Sequence, residues 1–212
     1  MVLNGYRERL ESLLNPFAGA FSRLSPNALS AISLIFAFGA MCVLVFVGNA
    51  IALLIAAICV MLNGLFDALD GKVAKMSGRA TPRGDLVDHV IDRLADFFML
   101  AGISLSAFAD AKIGLVALGT VLIASYMGTQ SQALGLKRDY GGILGRAERI
   151  LLLIIFLLIS YAVLILSPGS YVLIIDGISL SVLDLMLLLF IVLAVVTILQ
   201  RFARAWRALG TS

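Results

Sequence analysis

Six apolar stretches, each about twenty residues long, constrain this sequence more than any other feature. They cover approximately residues 28–48, 51–75, 84–108, 113–134, 148–167 and 181–197. A helix of about twenty residues spans a bilayer, and lipid admits only structures whose backbone groups are satisfied internally. The composition agrees, because 61% of the 212 residues are hydrophobic and only 14% are charged. We therefore expect an all-α integral membrane protein with six transmembrane helices.

The residues before the first stretch have a different pattern. Between Leu3 and Phe21, apolar side chains recur at helical spacing and charged side chains interrupt them. This pattern indicates an amphipathic helix lying at the membrane surface. No signal peptide is expected, because a continuous apolar run is lacking there. The predicted organisation is a juxtamembrane amphipathic helix over residues 1–24 and a transmembrane domain over residues 25–212.

Positive charges are distributed unevenly between the connections. Arginines and lysines precede the first stretch, flank the second-to-third and fourth-to-fifth connections, and follow the sixth stretch, which puts them all on one side. Only Lys112 falls on the other side. The positive-inside rule then predicts a multi-pass protein of the cell membrane, with both termini and the polar ends of the second and third stretches in the cytoplasm.

Five aspartates lie within or beside the second and third apolar stretches, where ionised carboxylates are costly. They are Asp67, Asp70, Asp85, Asp88 and Asp92. Spacings of three and four residues place Asp67 with Asp70, and Asp88 with Asp92, on one face of a helix each. Carboxylates are the ligands that Mg²⁺ and Mn²⁺ prefer, and paired ions of this kind assist phosphoryl transfer. The pattern therefore predicts a metal site for phosphoryl chemistry.

Two other interpretations of these carboxylates exist. A structural ion-pair network with Lys72, Lys75 and Arg93 is one, although four carboxylates exceed what such packing needs. A divalent-cation transporter is the other, since buried carboxylates also mark ion paths. Gly71 and Gly84 favour an enzyme, because the absence of a side chain there leaves room for a diphosphate beside the backbone.

The order of these residues resembles the signature of the CDP-alcohol phosphotransferase family, Asp-x-x-Asp-Gly-x-x-Ala-Arg-x8-Gly-x-x-x-Asp-x-x-x-Asp. In this chain it runs from Asp67 to Asp92, with Lys75 in place of the usual arginine. Lys75 keeps the charge but loses the bidentate guanidinium. The resemblance covers most of the chain. It implies the six-helix fold, a homodimer, and an enzyme that moves the lipid-phosphate group of a CDP-lipid to an alcohol and releases CMP.

The resemblance also implies residue roles. Two divalent ions, Mg²⁺ or Mn²⁺, would be bound by Asp67, Asp70, Asp88 and Asp92. Asp92 would in addition be the general base that takes the proton from the acceptor hydroxyl. The CDP-lipid would contact Asn27, Asp67, Gly71, Lys75, Thr81, Gly84 and Asp85. His89 is a rival base, but at about 100° from Asp88 around the helix it is expected to point off the shared face.

A second group of charged residues concerns the acceptor. The residues expected to bind a phosphate on it are Lys137, Arg146, Arg149 and Arg201. Arginine guanidinium groups suit a phosphate dianion, whereas a neutral acceptor such as free inositol would not require so many cations. For the other nearby arginines we expect contact with anionic lipid. These are Arg138, Arg204 and Arg207.

The segment from Lys137 to Arg149 resembles the archaeal archaetidylinositol phosphate synthases of the family, which join CDP-archaeol and myo-inositol 1-phosphate. The alternatives within the family are a phosphatidylinositol phosphate synthase that uses CDP-diacylglycerol and a phosphatidylglycerol phosphate synthase that uses glycerol 3-phosphate. The expected partners are these substrates, the bilayer and a second copy of the chain, and no nucleic acid. Small residues that would permit close contact between copies are Gly102, Ala107, Gly114, Ala117 and Gly119.

Overall fold

The computed structural model describes residues 16, 18–21, 23–78, 81–167, 173–175 and 178–210. Its long helices are α1 (Pro26–Phe46), α2 (Ala50–Met76), α3 (Pro82–Ser104), α4 (Ala111–Ala133), α5 (Arg146–Leu166) and α6 (Val182–Leu209). Each begins and ends within a few residues of a predicted stretch, apart from α6, which continues through its basic residues as expected. The predicted amphipathic helix over residues 1–24 lies largely outside the described residues, and the two-part domain organisation stays a prediction.

Five of these helices, α1, α2, α4, α5 and α6, are long and apolar enough to cross a membrane. Helix α3 has the required length of 23 residues, but charged side chains occupy its first half. The all-helical, multi-pass fold is thus confirmed, while the count of spans that length and composition support is five rather than six. The charges on α3 are explained by its position, because Asp88, Asp92 and Asp96 lie beside charged side chains of α2 and α5.

A short hairpin replaces part of the predicted loop between α5 and α6. Strands β1 (Leu173–Ile175) and β2 (Ile178–Leu180) pair antiparallel, with Leu173 opposite Leu180 and Ile175 opposite Ile178. Our prediction missed it, although the sequence has a signal: an Asp-Gly dipeptide between two apolar runs is typical of hairpin turns. The hairpin is far too short to change the fold class.

Local sequence explains where the helices begin. Polar residues accept hydrogen bonds from the first free backbone N–H groups of α1, α2, α3, α4 and α6. These caps are Ser25, Asn49, Thr81, Asp110 and Ser181. Proline at the first position of α1 and of α3 adds a preset backbone angle. At one end of the protein, Asp184 Oδ1 also accepts from Asp110 N at 2.6 Å, which joins the starts of α4 and α6.

The helices pack in a closed ring in the order α1, α2, α5, α6, α4 and α3. Its interior is apolar and includes Leu53, Met99, Leu157 and Phe190, all buried. In this ring α2 and α3 both flank α1. The aspartates of these two helices therefore meet beside α1 at one polar end of the protein.

Small residues serve packing inside this ring. A Cβ on Gly102 would lie 2.7 Å from the Met41 Cα, so α1 and α3 approach closely only because this residue is glycine. Gly114 is buried against Ser104 in the same way, and Ala117 is fully buried. Three of the five small residues expected at a dimer contact are thus used within the chain.

Candidate active site

Helices α2 and α3 bring the predicted aspartates together. Carboxylate oxygens of Asp67, Asp70 and Asp88 all lie within 4.8 Å of one another, and Asp88 and Asp92 belong to a second such group with His89. Asp70 is 4% exposed and the Asp92 side chain 14%. Carboxylates this close and this sheltered repel one another, so the cluster requires positive charge.

Hard oxygen donors at this spacing fit a divalent ion such as Mg²⁺ or Mn²⁺. No cluster of cysteine and histidine among the described residues competes with them as a softer site. The expectation of a divalent-metal cofactor is confirmed by this donor set. Bound there, the metal would stabilise negative charge on phosphate oxygens.

Ser30 on α1 holds one of these carboxylates and was missed in the sequence. Its buried hydroxyl donates to Asp70 Oδ2 at 2.5 Å. The two residues are forty positions apart, and no local pattern joins them. A hydrogen bond of this kind to a metal-binding carboxylate fixes the orientation of that carboxylate.

A cavity of about 390 Å³ opens beside the carboxylates. Six of the seven residues predicted to contact the CDP-lipid line it: Asn27, Gly71, Lys75, Thr81, Gly84 and Asp85. The seventh, Asp67, is not among its lining residues, whereas Asp70 and Asp88 are. The cavity therefore joins the carboxylates to a pocket built from the polar ends of α1, α2 and α3.

The start of α3 forms one wall of this cavity. Thr81 caps the helix by accepting from Gly84 N at 3.1 Å, so its hydroxyl has a structural task in addition to its position at the cavity. A Cβ on Gly84 would lie 3.4 Å from Thr81 Oγ1 and 3.8 Å from Asn27 Oδ1. A helix start with little side-chain bulk suits the approach of a phosphate group.

His89 lies closer to the carboxylates than expected. Its Nε2 is 3.3 Å from Asp85 Oδ1 and its Nδ1 is 3.7 Å from Asp88 Oδ2. The expectation that it points off the shared face is wrong, because the flexible side chain reaches back over one turn to Asp85. The imidazole of His89 therefore lies between two carboxylates of α3.

Arg146, the first residue of α5, lies within the carboxylate cluster. Its Nη2 is 3.2 Å from Asp67 Oδ1, and its Nη1 contacts Asp92 Oδ1. The ion-pair network considered above therefore exists and includes Arg146 of α5, which sequence reasoning had not placed in it. The carboxylates divide into two pairs as a result: Asp70 and Asp88 line the cavity, whereas Asp67 and Asp92 contact Arg146.

Arg149 lies one turn further along α5 and has a different partner. Its Nη2 donates to Asp96 Oδ2 at 2.6 Å, with the two side chains 5% and 2% exposed. Its Nε is buried and has no hydrogen-bond partner among the described residues. Asp96 was missed, although it continues the four-residue series of Asp88 and Asp92 along α3.

Arg201 on α6 faces the same region. It is 8% exposed, its Nε donates to the Gly141 carbonyl at 2.8 Å, and its Nη1 donates to the Ala124 carbonyl. The charges of Arg149 and Arg93 act on Arg201 together with that of Asp139, and those of Arg149 and Arg138 act on Arg93 together with those of Asp96 and Asp92. We call these four arginines, which lie among carboxylates, the arginine cluster.

The structure thus separates the four predicted acceptor residues. Arg149 and Arg201 come together in the arginine cluster, Arg146 lies among the carboxylates, and Lys137 is exposed on the loop before α5. Sequence reasoning considered Arg93 only as an ion-pair partner of the aspartates, and its Nη1 does lie 3.9 Å from Asp92 Oδ2. It expected only lipid contact for Arg138.

Two of the arginines assigned to lipid make contacts within the protein. Arg138 Nη1 is buried without a hydrogen-bond partner among the described residues, and its guanidinium lies 4.9 Å from the Tyr140 ring centroid. Arg204 pairs with Asp139 at 2.8 Å. The loop before α5 therefore turns inward at Arg138 and is joined to α6 at Asp139.

Known proteins share this sequence pattern and this fold. The chain is 36% identical to an archaetidylinositol phosphate synthase of Methanothermobacter thermautotrophicus over 101 residues, which are 48% of this chain and 51% of that protein. The chain thus spans about half the length of this relative. An archaetidylinositol phosphate synthase of Aeropyrum pernix is 30% identical over 75% of this chain and 81% of its own length.

Solved structures agree with the helical ring. Phosphatidylinositol phosphate synthase of Mycobacterium tuberculosis, in complex with manganese and citrate, matches with a TM-score of 0.69 and 26% identity over 90% of this chain and 88% of that one. The same enzyme with CDP-DAG bound has the same fold, at 23% identity and a TM-score of 0.69. The sequence model of the CDP-alcohol phosphatidyltransferase family matches residues 23–200. The chain therefore belongs to the CDP-alcohol phosphatidyltransferase family.

Proposed function

We propose that this chain is a membrane phospholipid synthase that transfers the lipid-phosphate group of a CDP-lipid to a hydroxyl of myo-inositol 1-phosphate. The hydroxyl oxygen forms a bond to the lipid-linked phosphorus, the bond between that phosphorus and the oxygen of the CMP phosphate breaks, and CMP leaves. The products are a phosphorylated inositol phospholipid and CMP. CDP-archaeol is the proposed lipid donor, because two archaetidylinositol phosphate synthases are among the relatives.

One observation carries this proposal: the carboxylates have an open cavity on one side and arginines on the other. Asp70 and Asp88 line the cavity, while Asp67 and Asp92 contact Arg146, and Arg149 lies a turn beyond. A phosphoryl donor and a phosphorylated acceptor need such a pair of regions, with the reacting phosphorus between them. A divalent-cation path would not need the buried arginines, whose positive charge opposes a passing cation.

The donor end is proposed to bind the CDP head group. Lys75 supplies a positive charge at the cavity, and Gly71 and Gly84 keep side chains away from the diphosphate. Two divalent ions held by Asp67, Asp70, Asp88 and Asp92 would stabilise charge on the attacking and leaving oxygens.

Asp92 is proposed to accept the proton from the attacking hydroxyl. Its position supports this, because it lies between the cavity carboxylates and the arginine cluster, and Arg146 holds its Oδ1. Its other oxygen, Oδ2, lies 3.9 Å from Arg93 Nη1 and so faces a hydroxyl that approaches from the arginine cluster. A positioned carboxylate base of this kind contributes about 100- to 10,000-fold to a rate.

The acceptor phosphate is proposed to bind Arg149, Arg201 and Lys137. Arg149 and Arg201 are buried, and the Nε of Arg149, which has no hydrogen-bond partner among the described residues, is available to a phosphate dianion. Arg146 lies next to this region and contacts the carboxylates of Asp67 and Asp92. Free inositol or serine would leave that Nε without an anion to bind.

The orientation and assembly of the protein belong to the same proposal. The site and both termini are proposed to face the cytoplasm, since basic residues concentrate at that end of the helices. A homodimer is proposed from the family resemblance. Its contact must use surfaces other than Gly102, Gly114 and Ala117, which are buried within the chain.

An acceptor panel tests the reaction. Purified protein in lipid nanodiscs receives CDP-archaeol or CDP-diacylglycerol together with inositol 1-phosphate, glycerol 3-phosphate, inositol or serine, and CMP release is measured. We expect release with inositol 1-phosphate and Mg²⁺ or Mn²⁺, complete loss in excess EDTA, and recovery when the ion is restored. Equal release with inositol or serine would contradict the phosphorylated acceptor. Faster release with glycerol 3-phosphate would identify the alternative synthase of the family.

A further inference from the structure

The loop between α4 and α5, residues 134–145, is attached to α6 at three points, and we call it the acceptor loop because it carries Lys137 and Arg138. Leu144 N donates to Thr197 Oγ1 at 3.1 Å. Arg201 Nε donates to the Gly141 carbonyl at 2.8 Å, and Arg204 Nε donates to Asp139 Oδ2 at 2.8 Å. The loop is thus held along its second half.

The three attachment points form one stripe on α6. Residues 197, 201 and 204 are spaced four and three apart, which puts them on one helix face. They contact loop positions 144, 141 and 139, so the loop runs antiparallel to the helix. Gly142 permits the close approach: its φ is +131°, and a Cβ there would lie 2.5 Å from Thr197 Cγ2.

Asp139 uses both carboxylate oxygens in this attachment. Oδ1 accepts from Gly141 N at 2.8 Å, and Oδ2 accepts from Arg204. The Asp139 side chain is 18% exposed, whereas that of Arg204 is 41% exposed. Arg204 therefore reaches in from the surface to a more sheltered carboxylate that already orders the loop backbone.

We propose that Asp139 and Arg204 are positioning residues for the acceptor substrate. They hold the backbone two residues after Lys137 so that Lys137 and Arg138 are in place before the acceptor phosphate arrives. Binding then avoids the cost of ordering the loop. The inference rests on the proposed function, because it requires that the loop binds the acceptor.

Because the CDP cavity is built from α1, α2 and α3, loss of this role should affect binding of the acceptor and not binding of the CDP-lipid. Loss of the Asp139–Arg204 pair raises the KM for inositol 1-phosphate and leaves the KM for the CDP-lipid unchanged. A partly exposed ion pair gives an expected rise of about two- to fivefold. A residue needed only for folding would alter both constants or the amount of folded protein.

A double-mutant cycle tests the pair. Asp139→Asn and Arg204→Gln are measured singly and together, with Arg207→Gln as the matched control on the same helix, since Arg207 Nε donates to its own helix at Ala203. We expect each single variant to raise the acceptor KM and the double variant to raise it no further, because both remove one interaction. Unchanged KM values in the single variants, or effects that multiply in the double variant, would overturn the inference.

Lys137→Ala distinguishes failure of this inference from failure of the proposed function. It is expected to raise the acceptor KM by about tenfold or more. If Lys137→Ala has the effect and the pair variants do not, only the positioning role is lost. If Lys137→Ala leaves the acceptor KM unchanged, the loop does not bind the acceptor and the positioning role fails, whereas failure of the proposed function would appear in the acceptor panel as CMP release that does not depend on inositol 1-phosphate.

Limited trypsin digestion gives a readout that does not depend on activity. Trypsin cleaves after Lys137 and Arg138, and cleavage requires a locally opened backbone. Arg204→Gln is expected to speed cleavage at these two bonds relative to wild type and to Arg207→Gln. Equal cleavage rates in all three proteins would contradict the proposed attachment.

Discussion

The donor and acceptor sides of the site differ in how the chain builds them. On the donor side, the carboxylates and the cavity residues come from one continuous segment, residues 67–92, together with the start of α1. On the acceptor side, the arginine cluster draws one residue from α3, one from the loop before α5, one from α5 and one from α6. The first side follows from helix geometry, whereas the second exists only once the ring has closed.

This difference suggests a division of tasks. A donor side built on two helices and a short connection can keep the same chemistry while other parts change. An acceptor side assembled from a loop and helix ends can accept substitutions that alter which alcohol binds. Substitutions on the two sides should therefore have separable kinetic effects.

The largest expected effect is at the carboxylate between the two sides. Asp92→Asn should lower kcat by about 100- to 10,000-fold, because the amide cannot accept the hydroxyl proton. Binding of the CDP-lipid should change little, since Asp92 does not line the cavity. CMP release under saturating substrates and equilibrium binding of the CDP-lipid measure the two quantities.

Asp110→Asn is the matched control for this substitution. Asp110 caps α4 beside the start of α6, at the end of the helices away from the site. Asparagine caps helices equally well. Turnover by Asp92→Asn above about a tenth of wild type would contradict its assignment as the base.

Substitutions on each side should give a crossed pattern. Arg149→Lys keeps the buried charge opposite Asp96 but loses the guanidinium fork, so the KM for the phosphorylated acceptor should rise by about tenfold. Lys75→Ala should instead raise the KM for the CDP-lipid by about tenfold, because it removes the cavity's lysine charge. Steady-state kinetics with each substrate varied in turn measures both. If both variants affect the same substrate, the two sides are not separate.

An effect of the same size concerns how the donor side holds a metal ligand. Ser30→Ala removes the hydroxyl that donates to Asp70, and we expect about tenfold weaker Mn²⁺ binding. Ser33→Ala is the control, because this buried serine on the same helix bonds only to the Ser30 carbonyl through its hydroxyl. Electron paramagnetic resonance of bound Mn²⁺ gives the affinity without turnover. Equal affinities in the two variants would show that Ser30 serves packing alone.

The difference between the two sides also explains which site residues could be predicted from the sequence. Spacing along a helix converts directly into position around it, and this placed the paired aspartates on one face of each helix. The cavity residues Gly71, Lys75, Gly84 and Asp85 were predicted from the family resemblance. Asp96 obeys the same spacing and could have been predicted by continuing the series one more turn.

No local sequence pattern predicted which residues on different helices form ion pairs. Arg146 and Arg149 are three residues apart on α5 and were predicted to share one anion, yet Arg146 contacts Asp67 and Asp92 while Arg149 contacts Asp96. Which carboxylate each arginine meets depends on how α5 packs against α2 and α3. That packing arises only when the ring of helices closes, and the spacing of residues along α5 does not determine it.

Helix α3 sets the distance between the proposed binding regions for the donor and for the acceptor. Its carboxylates Asp88, Asp92 and Asp96 follow one another at intervals of about 6 Å along the axis, and their neighbours are the cavity, Arg146 and Arg149 in turn. Because a helix does not stretch, the separation between the donor phosphorus and the acceptor anchor is constant. An enzyme of this design would adapt to a longer or shorter alcohol by remodelling the acceptor loop and α6, while α3 stays the same.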